Sequence, residues 1–202
     1  YINNGKLYVR RLDSWEPIEI PETDGCAAPF WSPDVSWLAF MQGRNLWKIR
    51  PDGTQRTLIC TATEGFSRVT GGAWLTGDRI VYRGKTDLMV VPATGGTPST
   101  FVAAKGINAV DFHEPDALPG GEGLVTVVHR KPGVDTISLV SVDGAVDSLI
   151  TIPGGELGHP CYAASGHLLF NNGPDIWAVR ISLADRKILG DPFSVARGAV
   201  VP

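Results

Sequence analysis

The feature that most constrains this chain is an internal repeat that returns every 43 or 44 residues. A turn led by a large apolar residue appears at Trp31-Ser32-Pro33-Asp34, Trp74-Leu75-Thr76-Gly77-Asp78, Leu118-Pro119-Gly120-Gly121 and Tyr162 through Ser165-Gly166. The leading residues stand 43, 44 and 44 positions apart. Each turn runs into a short apolar segment: Trp37-Leu38-Ala39-Phe40, Ile80-Val81-Tyr82, Leu124-Val125 and Leu168-Leu169-Phe170. A second landmark follows at a fixed offset. Tyr1, Phe40, Tyr82 and Phe170 each stand six residues ahead of another apolar run, at Leu7, Leu46, Leu88 and Ile176.

Asp52-Gly53, Gly95-Gly96 and Asp143-Gly144 then lead to Leu58-Ile59, Phe101-Val102 and Leu149-Ile150. Glycine in such pairs reaches positive φ without a steric penalty, so these are hairpin turns. Each period therefore reads as four antiparallel strands, A to D. No long segment carries apolar residues at helical spacing. A repeat of this length, built from short strands, predicts an all-β fold: a β-propeller of four-stranded antiparallel blades. The 24 glycines and 15 prolines agree, because they fall along the whole chain between apolar runs rather than in one tract.

In this register residues 1–22 supply part of a first blade. Full blades follow at about 25–60, 68–103, 109–152 and 158–196, and 197–202 opens a further A strand. Residues 1–202 are thus expected to form one propeller or propeller segment. A propeller protects its sheet edges by closing into a ring, so a chain that starts and stops inside blades is expected to be part of a longer ring.

Pro29-Phe30-Trp31-Ser32-Pro33-Asp34 with Leu38-Ala39-Phe40 and Leu46-Trp47 resembles the TolB-like (WD40-like) propeller repeat. Leu7–Ser14, Gly71-Gly72-Ala73-Trp74, Ser165–Phe170 and the ending Gly190-Asp191-Pro192 with Val195–Gly198 resemble one subgroup, the propeller region of bacterial serine/threonine kinase-associated proteins. That resemblance implies an extracytoplasmic sensor, periplasmic or at the cell surface. Val35 stands where the repeat usually has glycine, which predicts a strained turn. A kinase core is absent from the sequence: there is no glycine-rich phosphate loop, HRD or DFG.

The mild charge of −3 argues against nucleic acid, which needs a concentrated basic surface. No apolar stretch approaches the roughly 20 residues of a membrane helix. Cys26, Cys60 and Cys161 show no CxxC spacing and read as small buried hydrophobes. GxSxG, HExxH and P-loop motifs are missing. His113, His129, His159 and His167 read as solvated loop or turn residues about a blade apart rather than as metal ligands. Neither a metal nor a cofactor is expected.

Recognition is expected on the face shared by the D–A and B–C connections, because loops on a rigid scaffold commonly carry it. The candidates are Glu64, Phe66, Arg68, Asp111, His113, Glu114, His129, Arg130, Lys131, Glu156 and His159, acidic near the channel and basic further out. These observations predict a non-catalytic docking or sensing module, not an enzyme, acting with protein partners in a larger, membrane-associated assembly. The alternative is an enzyme-type propeller, peptidase-linked or a small-molecule hydrolase, which needs a convergent acid–base pair at the channel mouth.

Overall fold

A computed structural model describes residues 1–62, 71–154 and 156–198, and Glu64, Phe66 and Arg68 lie outside the described residues. The chain is all-β and forms antiparallel sheets arranged as a β-propeller. Blade 1 has three strands, Ile2–Asn3, Lys6–Val9 and Ile18–Glu19. Blade 2 has strands A to D at Cys26–Trp31, Leu38–Gln42, Asn45–Ile49 and Thr57–Thr61. Blade 3 has them at Gly72–Leu75, Arg79–Arg83, Leu88–Pro92 and Ser99–Val102. Blade 4 uses Asp111–Ala117, Gly123–Arg130, Val134–Ser141 and Val146–Thr151. Blade 5 uses Leu157–Ala163, His167–Asn172, Asp175–Ser182 and Lys187–Ala196.

Every apolar core lies between two blades, because both faces of these sheets are covered. Alternation along a strand sends neighbouring residues to opposite interfaces. In blade 3, Ile80 and Tyr82 pack on blade 2 with Met41, Leu46 and Ile59, whereas Val81 and Leu88 pack on blade 4 with Phe112, Leu124 and Val128. Leu168, Phe170 and Val179 of blade 5 meet Val125, Ile137 and Leu139 of blade 4. Trp74 is buried between blades, and Trp47 and Trp177 pack against neighbouring cores. Trp31 differs, with 42% of its surface exposed. Cys26 and Cys60 are buried, Cys161 is exposed, and all three are free thiols.

The A strands carry a second recurrent device. Their pairing to strand B slips by one residue between Ala27 and Phe30, between His113 and Asp116, and between Gly158 and Cys161. At each slip one residue is left-handed, Ala28 (φ 51), Glu114 (φ 52) or His159 (φ 47), and in blade 3 Gly71 (φ 96) holds the equivalent place just ahead of its strand. Pro29, Pro115 and Pro160 follow directly. A β-bulge releases one residue from the ladder, so a proline with no N–H to donate is tolerated there.

The A–B turn of blade 2 is organised by Asp34. Its carboxylate accepts from Ser32 Oγ at 2.6 Å, Ser36 N at 3.1 Å and Ser36 Oγ at 2.6 Å. These donors hold its pKa down at about 2. The next residue, Val35, is 65% exposed and has φ 51. A β-branched side chain in that region is strained, at about 1–2 kcal/mol. Glycine removes that strain but loses roughly 0.5–1 kcal/mol through the freer unfolded chain. Val35→Gly should therefore stabilise the protein by about 0.5–1 kcal/mol, read as a higher urea midpoint with an unchanged m-value. A lower midpoint would show that the turn is not strained.

Candidate active site

In blade 4 the ladder places three polar residues in one row across strands A, B and C. Asp111 pairs with His129, and His129 pairs with Asp135. Directly paired residues share a sheet face, and so does the residue two along the strand; His113 therefore joins Asp111. The bulge at Glu114 fixes this register. Ala117 pairs with Leu124 below the bulge and His113 with Val127 above it, a slip of one residue that brings Asp111 opposite His129 rather than Arg130. Thr126 Oγ1 donates to the His113 carbonyl at 2.7 Å and pins the bulged segment.

The side chains converge. His129 Nδ1 stands 2.9 Å from Asp111 Oδ1, and its Nε2 stands 3.5 Å from Asp135 Oδ1. His113 Nε2 is 3.2 Å from Asp111 Oδ2, and the two imidazole rings lie 4.2 Å apart, tilted by 40°. Arg83, at the end of strand B in blade 3, crosses the blade gap and donates from Nη2 to Asp111 Oδ2 at 3.2 Å. Two buried atoms in this group have no hydrogen-bond partner among the described residues, Asp111 Oδ1 and Arg83 Nε. The 2.9 Å approach of His129 to Oδ1 is thus close in distance but off hydrogen-bonding alignment. Burial, and then the charge of Arg83, lower the pKa of His113 and favour its neutral imidazole.

This group corrects the reading of the histidines as separate loop residues. His113 and His129 sit in paired strands of one blade, with side chains only 25% and 34% exposed. His159 is a blade away, as the spacing required. It faces Glu114, whose Oε1 lies 3.4 Å from His159 Nε2 and whose Oε2 accepts the His159 backbone N–H. That contact ties the innermost strands of blades 4 and 5. Arg130 donates to the carbonyl of Ile107 at 2.5 Å. Arg130, Lys131 and Glu156 line a cleft of about 530 Å³ with His129, Asp135 and Val110, so the His129–Asp135 edge of the cluster opens onto the loop-rich face. Arg83 and Asp135 were not among the candidates read from the sequence. The hairpin register could have found Asp135 opposite His129, but nothing local marks Arg83.

No known protein-family profile matches the chain. An uncharacterized protein of Agrobacterium fabrum is 24% identical over 180 residues, covering 83% of this chain and 57% of that protein. Among solved structures, a gluconolactonase of Xanthomonas campestris superposes with a TM-score of 0.64 at 14% identity, covering 88% of this chain and 63% of that one. Virginiamycin B lyase of Staphylococcus aureus superposes with a TM-score of 0.62 at 11% identity, covering 95% and 64%. The chain thus spans somewhat under two thirds of the length of each. These likenesses show the propeller fold. They also correct the expectation of a non-catalytic docking module that is not an enzyme: propellers of this shape stand in chains named as enzymes, and the acid–base convergence that catalysis needs is present in blade 4.

One further group on strand A of blade 4 is strongly shifted. Loss of hydration pushes Asp116 up to about 6, opposed by the backbone N–H of Ala117. The fold therefore favours protonated Asp116. That contribution is complete below the ordinary carboxyl value of 3.8 and is lost as pH rises through about 6. Asp116→Asn should match the wild type below pH 4 and exceed its stability at pH 8 by up to about 3 kcal/mol. Urea titrations across that range test this, and equal curves at both ends would place Asp116 in water.

Proposed function

We propose that this propeller is an enzyme that opens or hydrolyses a small carbonyl-bearing substrate, a lactone or ester, at the blade 4 cluster. The observation that carries the reading is the row Asp111–His129–Asp135, with His113 and Arg83 turned into the same space. Neutral imidazole beside carboxylate is suited to taking a proton from an attacking water. A guanidinium within reach can offset the negative charge that grows on the carbonyl oxygen. As the ring or ester C–O bond breaks, the proton taken from water is returned to the leaving oxygen, and the product is a hydroxy acid or an acid and an alcohol.

The adjoining cleft carries Lys131 and Arg130 on its rim, a setting that suits a substrate or product bearing a carboxylate. The name of the gluconolactonase neighbour supports a lactone substrate. The resemblance of the sequence to the propeller region of bacterial kinase-associated proteins supports an extracytoplasmic location, which we also propose.

A panel of aldonolactones, simple γ- and δ-lactones and aryl esters, followed by acid release, tests the reading. Turnover above background is expected for at least one class. Arg83→Met, His113→Ala and His129→Ala should each lower kcat about 100-fold or more while the thermal midpoint moves by only a few degrees. No turnover across the panel, or turnover indifferent to all three substitutions, would refute it.

A further inference from the structure

We propose that Asp111, His113 and His129 form a binding site for one divalent first-row transition-metal ion. The inference rests on the same residues as the proposed enzyme centre and adds a cofactor to it. His113 Nε2, His129 Nδ1 and an Asp111 carboxylate oxygen all lie within 4.8 Å of one another. Two ligands of one ion at roughly 2.0–2.1 Å stand about 2.9 Å apart at a right angle and about 3.4 Å apart at a tetrahedral angle. The observed 2.9 Å from His129 Nδ1 to Asp111 Oδ1 falls in that range, and His113 Nε2 stands 3.2 Å from the other oxygen of the same carboxylate.

Two further observations point the same way. Asp111 Oδ1 is buried and without a hydrogen-bond donor, while Oδ2 already serves Arg83. An unsatisfied buried carboxylate oxygen is costly, and a cation between it and the imidazoles would satisfy it. Behind His129, Asp135 Oδ1 sits 3.5 Å from Nε2, the ring nitrogen that faces away from Asp111. A carboxylate in that place fixes the tautomer and makes the inner nitrogen a better donor.

The donor set selects the ion. Calcium and magnesium take oxygen ligands, whereas two imidazoles and one carboxylate suit zinc, cobalt, nickel or iron. Three protein ligands on one side of the ion leave positions for water and substrate, the arrangement of a working rather than a structural centre. The ion would supply Lewis acidity to the carbonyl and a more acidic water; with it bound, the two imidazoles would serve as ligands, and loss of the water's proton would rest on the ion instead of on them. Asp111 would then stand between two cations, held by Arg83 on one oxygen and coordinating with the other.

The full chain, stripped with chelator and returned to buffer, is titrated calorimetrically with Zn²⁺ and with Co²⁺, the latter also followed by visible absorption. One ion per chain is expected, with cobalt d–d bands and a rise in thermal midpoint. His129→Ala and His113→Gln should weaken binding at least 100-fold, and Asp135→Asn about 10-fold. Ca²⁺ should not compete. Absence of Zn²⁺ and Co²⁺ binding by the wild type overturns the site whether or not the variants fold, as does binding that survives both histidine substitutions or yields to Ca²⁺. Stoichiometric metal without lactone or ester turnover leaves the site standing and sinks the hydrolase reading. Turnover that persists in metal-free protein does the reverse.

Discussion

The site depends on one extra residue in the innermost strand of blade 4. Below Glu114 the A and B strands run in one register, and above it they run in another. Because side chains alternate with a period of two, a one-residue slip exchanges the faces of every residue beyond it. Without the bulge, Asp111 would pair with Arg130 and His129 would project from the opposite face. With it, Asp111, His113 and His129 share a surface. The same device recurs in blades 2 and 5, where its left-handed positions hold Ala28 and His159. It is a feature of the repeat that in blade 4 gathers imidazoles and carboxylates on one face.

The neighbouring blades make the cluster rigid and complete. Phe112 and Val128 alternate with Asp111, His113 and His129 along the same two strands, and both are fully buried against blade 3. A polar face is therefore backed by a packed one, so its side chains are set by strands rather than by loops. Arg83 arrives from blade 3 at the end of a strand whose Val81 and Tyr82 are also buried. Its guanidinium neutralises Asp111 across the blade gap, where partial burial keeps the attraction less screened than at an open surface. On the other side, Glu114 fastens blade 4 to blade 5 by accepting the backbone N–H of His159. Three consecutive blades are thus joined around one polar centre.

The fold was legible because a repeat states it several times. Turn, apolar strand and offset agree at Trp31, Trp74, Leu118 and Tyr162, so the four-stranded blade could be read without any single strong motif. The strain at Val35 was legible too, since only its φ differs from what valine prefers. The chemistry was not. His129 reads as a loop residue when strand B is ended too early, and its partnership with Asp111 requires counting the bulge. Asp135 follows only from the next pairing, and Arg83 only from how tightly two blades close. His113 and His159 stand about a blade apart, whereas the histidines that meet, His113 and His129, lie within one hairpin. Trp31 shows the converse, an aromatic at a regular repeat position that is 42% exposed.

The unpartnered atoms give the strongest argument that this cluster is more than a structural ion network. An unbonded buried polar atom costs about 1–3 kcal/mol, so a network kept only for stability gains nothing by leaving a carboxylate oxygen bare. Apolar residues of similar volume often replace a buried charge pair at no loss. Here Asp111 Oδ1 and Arg83 Nε are both buried and unsatisfied, a few ångströms from two imidazoles and beside an open cleft. Four other buried side-chain atoms, on Arg56, Ser138, Trp177 and Arg186, also lack a hydrogen-bond partner among the described residues, but none of them is a carboxylate oxygen. Asp34, by contrast, accepts three hydrogen bonds within its own turn. Among the described residues Asp111 Oδ1 is the only buried carboxylate oxygen so left, and it lies where imidazole, carboxylate and guanidinium meet. Strain of that kind persists when something binds there to relieve it, and it locates function more sharply than the likeness of the fold to any other propeller.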